Sequence, residues 1–198
     1  MALPKWTSPS QVPNAYPEKP IMQPTFSTLK VEDVAAYIKS TSYPENVKQA
    51  TLALKALESG WGGTIFNNNV GGVQTDGNRW NKEFDNIIIG TVLKKDWTGY
   101  LRRFAVFADW RHCIDFKLKV VFLRGLYIGG TPKNYYKKTI NTVQDFAQAY
   151  QNEWVQGDSK YIATSAQIRD TSSVYRRAVN FLNIAPTLPK TGDVKKKD

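Results

Sequence analysis

The segment from Ser42 to Gly60 constrains the fold most, because it carries both the start and the stop signal of one helix. Ser42-Tyr-Pro-Glu45 combines a capping hydroxyl, a proline for the first turn and a glutamate three positions after the cap. Apolar residues then recur at helical spacing, and glycine ends the pattern at position 60. The segment therefore predicts an amphipathic helix whose apolar face runs through Val47, Ala50 or Thr51, Leu54 and Leu57.

The rest of the chain predicts a mostly α fold (α+β) with one small β-hairpin. Helical spacing indicates further helices that start near Val31 and over 106–124, 143–154 and 172–182. Two β-prone runs, 86–93 and 97–104, are separated by Lys-Lys-Asp, which predicts the hairpin. The Asn- and Gly-rich stretch 64–78 is expected to form a structured loop.

Proline distribution divides the chain into three parts. Six of the ten prolines lie between Pro4 and Pro24, which favours an extended Pro-rich arm over 1–25 that stays outside the core. Residues 26–185 are expected to form one domain. Residues 186–198 end in a run of lysines and are expected to be a basic tail.

The charge balance bears on the class of partner. With 27 Lys and Arg against 17 Asp and Glu, the chain has a formal net charge of +10, which favours nucleic acid, anionic wall polymers or acidic membrane surfaces. Its apolar runs are far shorter than the roughly 20 residues of a spanning helix, so no membrane span is expected. The stretch 1–25 lacks the apolar run of a classical signal peptide.

Metal and cofactor chemistry find little support in the sequence. One cysteine, Cys113, and one histidine, His112, cannot supply a structural zinc site. Gly71-Gly72 and Gly129-Gly130 lack the flanking pattern of a phosphate loop, so no nucleotide cofactor is expected. Adjacent residues on a helix do not face each other, and Cys113 is therefore expected to serve packing rather than catalysis.

Glu58 is the best candidate for chemistry. It lies in the last turn of the predicted helix, between Leu57 and Ser59 and close to Trp61. A carboxylate with apolar neighbours at a cleft edge is poorly solvated and can stay protonated as a general acid. The alternative is a solvated glutamate near a helix end, but the negative end of the helix dipole disfavours a carboxylate there.

The sequence around Glu58 resembles a known family. Glu58-Ser-Gly-Trp-Gly62, followed by Asn-Asn-Asn-Val-Gly-Gly-Val over 67–73, is similar to the motif of the bacterial and phage N-acetylglucosaminidases of glycoside hydrolase family 73. Looser similarity continues through Arg103-Phe104 and a segment at 161–164, and it spans about 45–185. The resemblance implies a lysozyme-like helical domain that cleaves peptidoglycan glycan strands without a metal or cofactor. It implies Glu58 as general acid, Tyr161 as a positioning residue, and a saccharide groove with Trp61, Phe66 and Asn69.

One departure from the family leaves the mechanism open. Many relatives carry a second acid in the hairpin, where this chain has Thr91-Val-Leu93. Asp96 is the nearest substitute, and Asp76 or Asp85 could also serve as the second group that glycosidases need. Alternatively Glu58 suffices, as the single glutamate does in lytic transglycosylases. The pair Val73-Gln74 loosely resembles part of the glycine-rich segment of those enzymes. A third alternative is an inactive lysozyme-like adaptor protein of a virion.

The resemblance also suggests a biological setting. A phage lysin or a virion-associated wall-degrading protein would act at the host cell wall or periplasm, with the arm 1–25 bound to virion proteins. Peptidoglycan is the expected partner. Nucleic acid is the less favoured one, although the basic stretch 94–138 interleaves lysines and arginines with aromatic residues in a pattern that suits single strands.

Overall fold

The computed structural model describes residues 5–77, 79–80, 82–96, 98–124, 140–156 and 160–186. Within these residues the helices are α1 (Val31–Ser40), α2 (Glu45–Ser59), α3 (Trp110–Arg124), α4 (Val143–Ala149) and α5 (Ser165–Ile184). The strands are β1 (Phe26–Leu29), β2 (Gly63–Phe66), β3 (Ile88–Lys95) and β4 (Leu101–Phe107). Both sheets are antiparallel and two-stranded, β1 with β2 and β3 with β4.

Helix α2 confirms the predicted helix and its end at Gly60, whereas the predicted cap at Ser42 is wrong, because Pro44 is the N-cap residue and no side chain caps the helix. It follows Pro44 directly and ends at Gly60, whose φ of 73° lies in the left-handed region that favours glycine. Helix α5 begins at Ser165, earlier than predicted, because Thr164 and Gln167 form a capping box there. Helix α4 passes directly into a π-helical segment, Tyr150–Val155.

The prediction of a mostly α fold with one hairpin is wrong. The described residues form a mixed α+β fold, with about 48% helix and 16% strand, and they include two small sheets where one was expected. The second sheet joins Phe26 to Phe66 and Leu29 to Gly63, through short strands that lie far apart in the sequence. Such short, distant strands leave no periodic pattern in the sequence. The Asn- and Gly-rich composition of 64–78 therefore predicts a loop where the structure has β2. The predicted helix 106–124 starts only at Trp110 because the preceding residues belong to β4.

The N-terminal segment packs on the domain, and the prediction of an arm outside the core is wrong for residues 12–22. Val12 is 4% exposed and Tyr16 is fully buried in the core. The backbone of Pro20 and Met22 pairs with Thr91 of β3. The Nε of Arg103 on β4 donates to the Pro13 carbonyl at 3.0 Å. The predicted basic tail 186–198 lies, except for its first residue, outside the described residues.

The core lies between the helices and the inner face of the β3–β4 hairpin. Helix α2 packs against α3 and α5, and an aromatic cluster of Phe84, Phe107 and Phe116 joins α3 to β4. Cys113 is fully buried there, and burial raises the pKa of its thiol to about 12. The prediction that Cys113 serves packing is confirmed, since a thiol with this pKa stays protonated near neutral pH.

Candidate active site

A cleft of about 500 Å³ opens between the end of α2, strand β2 with the loop that follows it, and the β3–β4 hairpin. It brings together five of the seven residues that the sequence singled out. These are Glu58 at the end of α2, Phe66 on β2, Asn69 and Gln74 in the loop, and Asp96 at the tip of the hairpin. Trp61 and Tyr161 are not among the described residues that line it.

Glu58 points into the cleft with an exposed side chain. The predicted apolar, poorly solvated setting is therefore wrong. Trp61 does not cover it, because the indole stacks on Phe181 of α5 with ring centroids 5.2 Å apart. The guanidinium of Arg177 lies 4.5 Å from the centroid of the same indole. Trp61 is thus a packing residue between the end of α2 and α5.

Tyr150 is the tyrosine that contacts Glu58, and sequence analysis missed it. Its hydroxyl donates to Oε1 of Glu58 at 3.0 Å from the π-helical segment. Burial raises the pKa of Tyr150, and the neighbouring Glu58 carboxylate raises it further. The predicted Tyr161 instead donates its hydroxyl proton to Gln167 at 3.0 Å. Since 92 positions separate Tyr150 from Glu58, no local pattern could have indicated this contact.

If Glu58 transfers a proton in catalysis, Tyr150→Phe is expected to lower kcat about tenfold and to change KM little, because it removes the hydrogen bond that orients Glu58 while it keeps the ring. The free energy of unfolding should fall by about 1 kcal/mol, the cost of one hydrogen bond. Steady-state kinetics and urea unfolding measure the two effects. Tyr161→Phe is the matched control, and an equal loss of kcat in that variant would contradict the assignment.

Two buried lysines, Lys55 and Lys117, lie beneath the cleft floor. A Cβ on Gly71, whose φ is 94°, would lie 2.8 Å from Cε and Nζ of Lys117, so only glycine fits over this side chain. Burial lowers the pKa of Lys117, while Cys113 and Glu58 act in the opposite direction. Lys55 donates to the Gly60 carbonyl at 2.6 Å. Its own pKa falls to about 8, first through burial and then through the charge of Lys117.

Lys55→Met is expected to change how stability depends on pH. Lys55 binds its proton up to about pH 8 in the folded protein and up to its ordinary value of 10.5 when unfolded. Between these values the unfolded chain holds the extra proton, so the wild-type free energy of unfolding gains up to about 1.4 kcal/mol per pH unit from this group. Urea unfolding of both proteins at several pH values measures their free energies of unfolding. The wild-type value should rise relative to that of Lys55→Met from pH 8 to 10.5. Parallel curves would contradict the prediction.

Asp96 is held in place by the hairpin. Its Oδ1 accepts hydrogen bonds from the backbone N–H of Thr98 at 2.8 Å and of Tyr100 at 3.2 Å. Its Oδ2 lies 3.1 Å from Nε of Arg102. Burial alone would raise the pKa of Asp96, but the hydrogen bonds from Thr98 and Tyr100 and the charge of Arg102 together lower it. Asp96 is therefore a fixed negative charge at the rim of the cleft.

The other acids considered as substitutes lie away from the cleft lining. Asp76 is buried and accepts a hydrogen bond from the backbone N–H of Arg103 at 3.3 Å. Asp85 pairs with Arg79, Oδ2 to Nη2, at 2.8 Å. Leu93 lies opposite Arg103 in the β3–β4 ladder. Of the three candidates for the second carboxylate, all of them described by the structure, the cleft includes Asp96 alone.

Three further residues were predicted to bind the sugar. The prediction is wrong for Asn69 and stays a prediction for Phe66 and Gln74. Asn69 is buried, and its amide donates to the carbonyls of Val73 and Ala105 and accepts from the backbone N–H of Val73. It fixes the loop with both of its amide protons and is only 2% exposed, so its predicted binding role is wrong. Phe66 lies edge-on to Phe104 with centroids 5.0 Å apart. The Gln74 side chain is exposed and has no hydrogen-bond partner among the described residues.

Comparison of the chain with protein-family models, with curated proteins and with solved structures found no match. None of the helices that the structure describes is long and apolar enough to cross a membrane. Over the same described ranges, no group of three or more His, Cys, Asp or Glu side chains comes together in a way that could hold a metal ion. The assignment of function therefore rests on the geometry of the cleft and on the motif around Glu58.

Proposed function

We propose that the protein is a glycoside hydrolase that cleaves the glycan strand of peptidoglycan, of the β-N-acetylglucosaminidase type, with Glu58 as general acid. The observation that supports it is the joint presence of Glu58 and Asp96 in one cleft, although they come from a helix end and a hairpin tip 38 positions apart. Two carboxyl groups that flank a saccharide-sized groove are the usual equipment of glycosidases. The resemblance of the Glu-Ser-Gly-Trp-Gly motif also indicates Glu58 as the general acid.

The proposed reaction uses the two carboxyl groups differently. A bound glycan covers Glu58 and displaces water from the cleft. Glu58 then gives its proton to the glycosidic oxygen as the C–O bond breaks. Asp96, held as an anion by the hairpin, stabilises the positive charge that develops on the sugar ring. Water completes hydrolysis by adding to the anomeric carbon, and the proton it releases returns to the Glu58 carboxylate, which restores the general acid.

Two side chains of the cleft are proposed to bind the sugar. Phe66 offers an aromatic surface to the apolar face of a sugar ring, with the ammonium of Lys94 4.7 Å from its centroid. The exposed amide of Gln74 can both donate to and accept from an acetamido group. The excess positive charge of the chain favours adsorption to wall polymers that carry carboxylates and phosphates. Attachment to a virion through residues 1–25 is not part of the proposal, because Val12 and Tyr16 are buried.

A specific observation favours a second candidate, the lytic transglycosylase reaction. The hairpin N–H groups and Arg102 contact both oxygens of Asp96 and hold the pKa of this carboxyl low, so it is a weak base for activating water. A single Glu58 would then protonate the leaving oxygen and take the proton back from a hydroxyl of the substrate itself. The product would be an anhydro sugar rather than a hydrolysed end.

Product analysis separates the two reactions. Purified peptidoglycan sacculi are incubated with the protein, and the soluble fragments are analysed by mass spectrometry. Reducing N-acetylglucosamine ends are expected if the protein is the hydrolase. Anhydro-muramic ends would contradict the hydrolase reaction and support the transglycosylase reaction. Sacculi that bind the protein but release no fragments would overturn both and favour an inactive scaffold.

A further inference from the structure

Arg102 is the most unusual buried side chain of the described structure. It is 1% exposed, and none of its three guanidinium nitrogens, Nε included, has a hydrogen-bond partner among the described residues. Its ionic contact within those residues is Nε to Oδ2 of Asp96 at 3.1 Å. Buried guanidinium donors without partners cost stability, and an apolar side chain of similar volume would usually be more stable at such a place. Stability alone therefore does not explain an arginine here.

The position of Arg102 ties it to the cleft. It lies opposite Lys94 in the β3–β4 ladder and precedes Phe104, which lines the cleft, by two residues on the same strand. Alternate residues of a strand share a face, so Arg102 lies on the face of the hairpin that meets the cleft. The guanidinium thus backs the rim where Asp96 lies.

The N-terminal segment shields this ion pair from water. The ring centroid of Trp6 lies 5.1 Å from the guanidinium carbon, and the Trp6 carbonyl accepts a hydrogen bond from the backbone N–H of Leu101 at 2.9 Å. The side chains of Arg102 and Asp96 are only 2% and 9% exposed. Charges so shielded interact more strongly than charges in water, because the local dielectric is low.

We propose that Arg102 is a positioning residue of the active site, which holds the Asp96 carboxylate charged and oriented toward the cleft. The inference rests on the proposed function, because it takes Asp96 as the second charge of that reaction. Arg102 touches no substrate in this account. It acts through Asp96, and Trp6 supports it by excluding water.

The charges around Asp96 agree with this role. Burial raises the pKa of the neighbouring Asp76, and Arg102 counteracts the rise, so the guanidinium serves two carboxyl groups. Arg102 is the cation in contact with Asp96. The other charged groups that surround the hairpin tip are Lys5, near the ring of Tyr100, Lys94 and Lys95 on β3, and Glu58 across the cleft.

The direct test is the titration of the Asp96 side-chain carboxyl by ¹³C NMR in wild type, Arg102→Met and Arg102→Lys. The wild-type pKa is expected below the ordinary 3.8. Arg102→Met should raise it, although the hydrogen bonds from Thr98 and Tyr100 that lower the pKa more strongly remain, and Arg102→Lys should restore part of the shift. An Asp96 pKa that does not respond to Arg102→Met would overturn the proposal. Arg111→Met, which breaks the exposed pair with Asp109, is the matched control and should leave Asp96 unchanged.

Kinetics on sacculi supply the second test. Arg102→Met is expected to lower kcat about 100-fold with a change in KM of about twofold or less, and to move the acidic limb of the pH–rate profile upward. Arg102→Lys should recover part of kcat. A purely structural role would lower stability without moving the pH profile, and that result would contradict the proposal.

Two features keep the test decisive. If Arg102→Met does not fold, Arg102→Gln removes the charge while it keeps a polar side chain, and it should raise the Asp96 pKa in the same direction. An unchanged Asp96 pKa in that folded variant would overturn the proposal. The NMR titration needs no turnover, so a protein that fails to cleave sacculi but shows the shifted Asp96 refutes the proposed function and leaves the Arg102–Asp96 coupling established.

Discussion

Glu58→Gln is expected to lower the release of glycan fragments from peptidoglycan at least about 1,000-fold and to leave the fold intact. The amide keeps the size of the side chain and can still accept the hydrogen bond from Tyr150, but it has no proton to give to the glycosidic oxygen. Because Glu58 is exposed, the free energy of unfolding should change by only about 0.5 kcal/mol. Fragment release is measured by mass spectrometry and stability by urea unfolding.

Glu45→Gln is the matched control for this variant. Glu45 is an exposed glutamate at the other end of the same helix, where it lies 3.9 Å from the ammonium of Lys48. The control should release fragments at the wild-type rate. Equal activity of Glu58→Gln and wild type would remove Glu58 from the mechanism, whatever the products are.

Local signals explain what the sequence could predict. Helix α2 has its proline, its apolar face and its terminal glycine together between Pro44 and Gly60, so its extent follows from the sequence although Ser42 does not cap it. Glu58, Phe66 and Gln74 lie close together in the chain, and one turn after α2 brings them to one wall of the cleft. The hairpin adds Asp96 because its tip folds back over that wall. Short-range geometry therefore fixed most of the candidate site.

Long-range contacts explain what the sequence could not predict. Tyr150 reaches Glu58 from a π-helical segment that periodicity cannot distinguish from an ordinary helix. Lys55 and Lys117 are buried by the packing of α2 against α3, although charged residues are expected at the surface. Arg102 is one of several basic residues of the hairpin, and only the cover of Trp6 distinguishes it. Each of these features depends either on a partner that is distant in the sequence or on burial, and neither is visible in a local sequence pattern.

The prolines of the N-terminal segment predict an arm outside the core, and this prediction fails for a physical reason. They exclude regular helix and remove backbone donors, but they leave every carbonyl available as an acceptor. The structure uses these acceptors, since Arg103 donates to Pro13 and Thr91 donates to Pro20. A Pro-rich segment can therefore pack along a strand edge as an irregular but ordered layer, which is the arrangement around Tyr16.

Tyr16→Ala is the second large effect expected, a loss of about 3–5 kcal/mol in the free energy of unfolding. The ring of Tyr16 is fully buried, and the guanidinium of Arg79 lies 4.6 Å from its centroid. The hydroxyl accepts a hydrogen bond from the backbone N–H of Trp80 at 3.2 Å, and burial, together with the charge of Asp85, raises the pKa of Tyr16 to about 12. Tyr16→Phe keeps the ring and should lose only about 1 kcal/mol. Urea unfolding measures both.

Gln23→Ala is the control within the same segment, because its side chain is exposed and has no hydrogen-bond partner among the described residues. It should be neutral within about 0.5 kcal/mol. If Tyr16→Ala were equally neutral, the segment would be a detachable arm after all, and Trp6 could not shield the ion pair of Arg102 with Asp96. A large loss would instead make the segment 5–25 part of the domain that shapes the cleft. The stability of Tyr16→Ala thus decides whether the N-terminal segment is a tether or a structural wall of the active site.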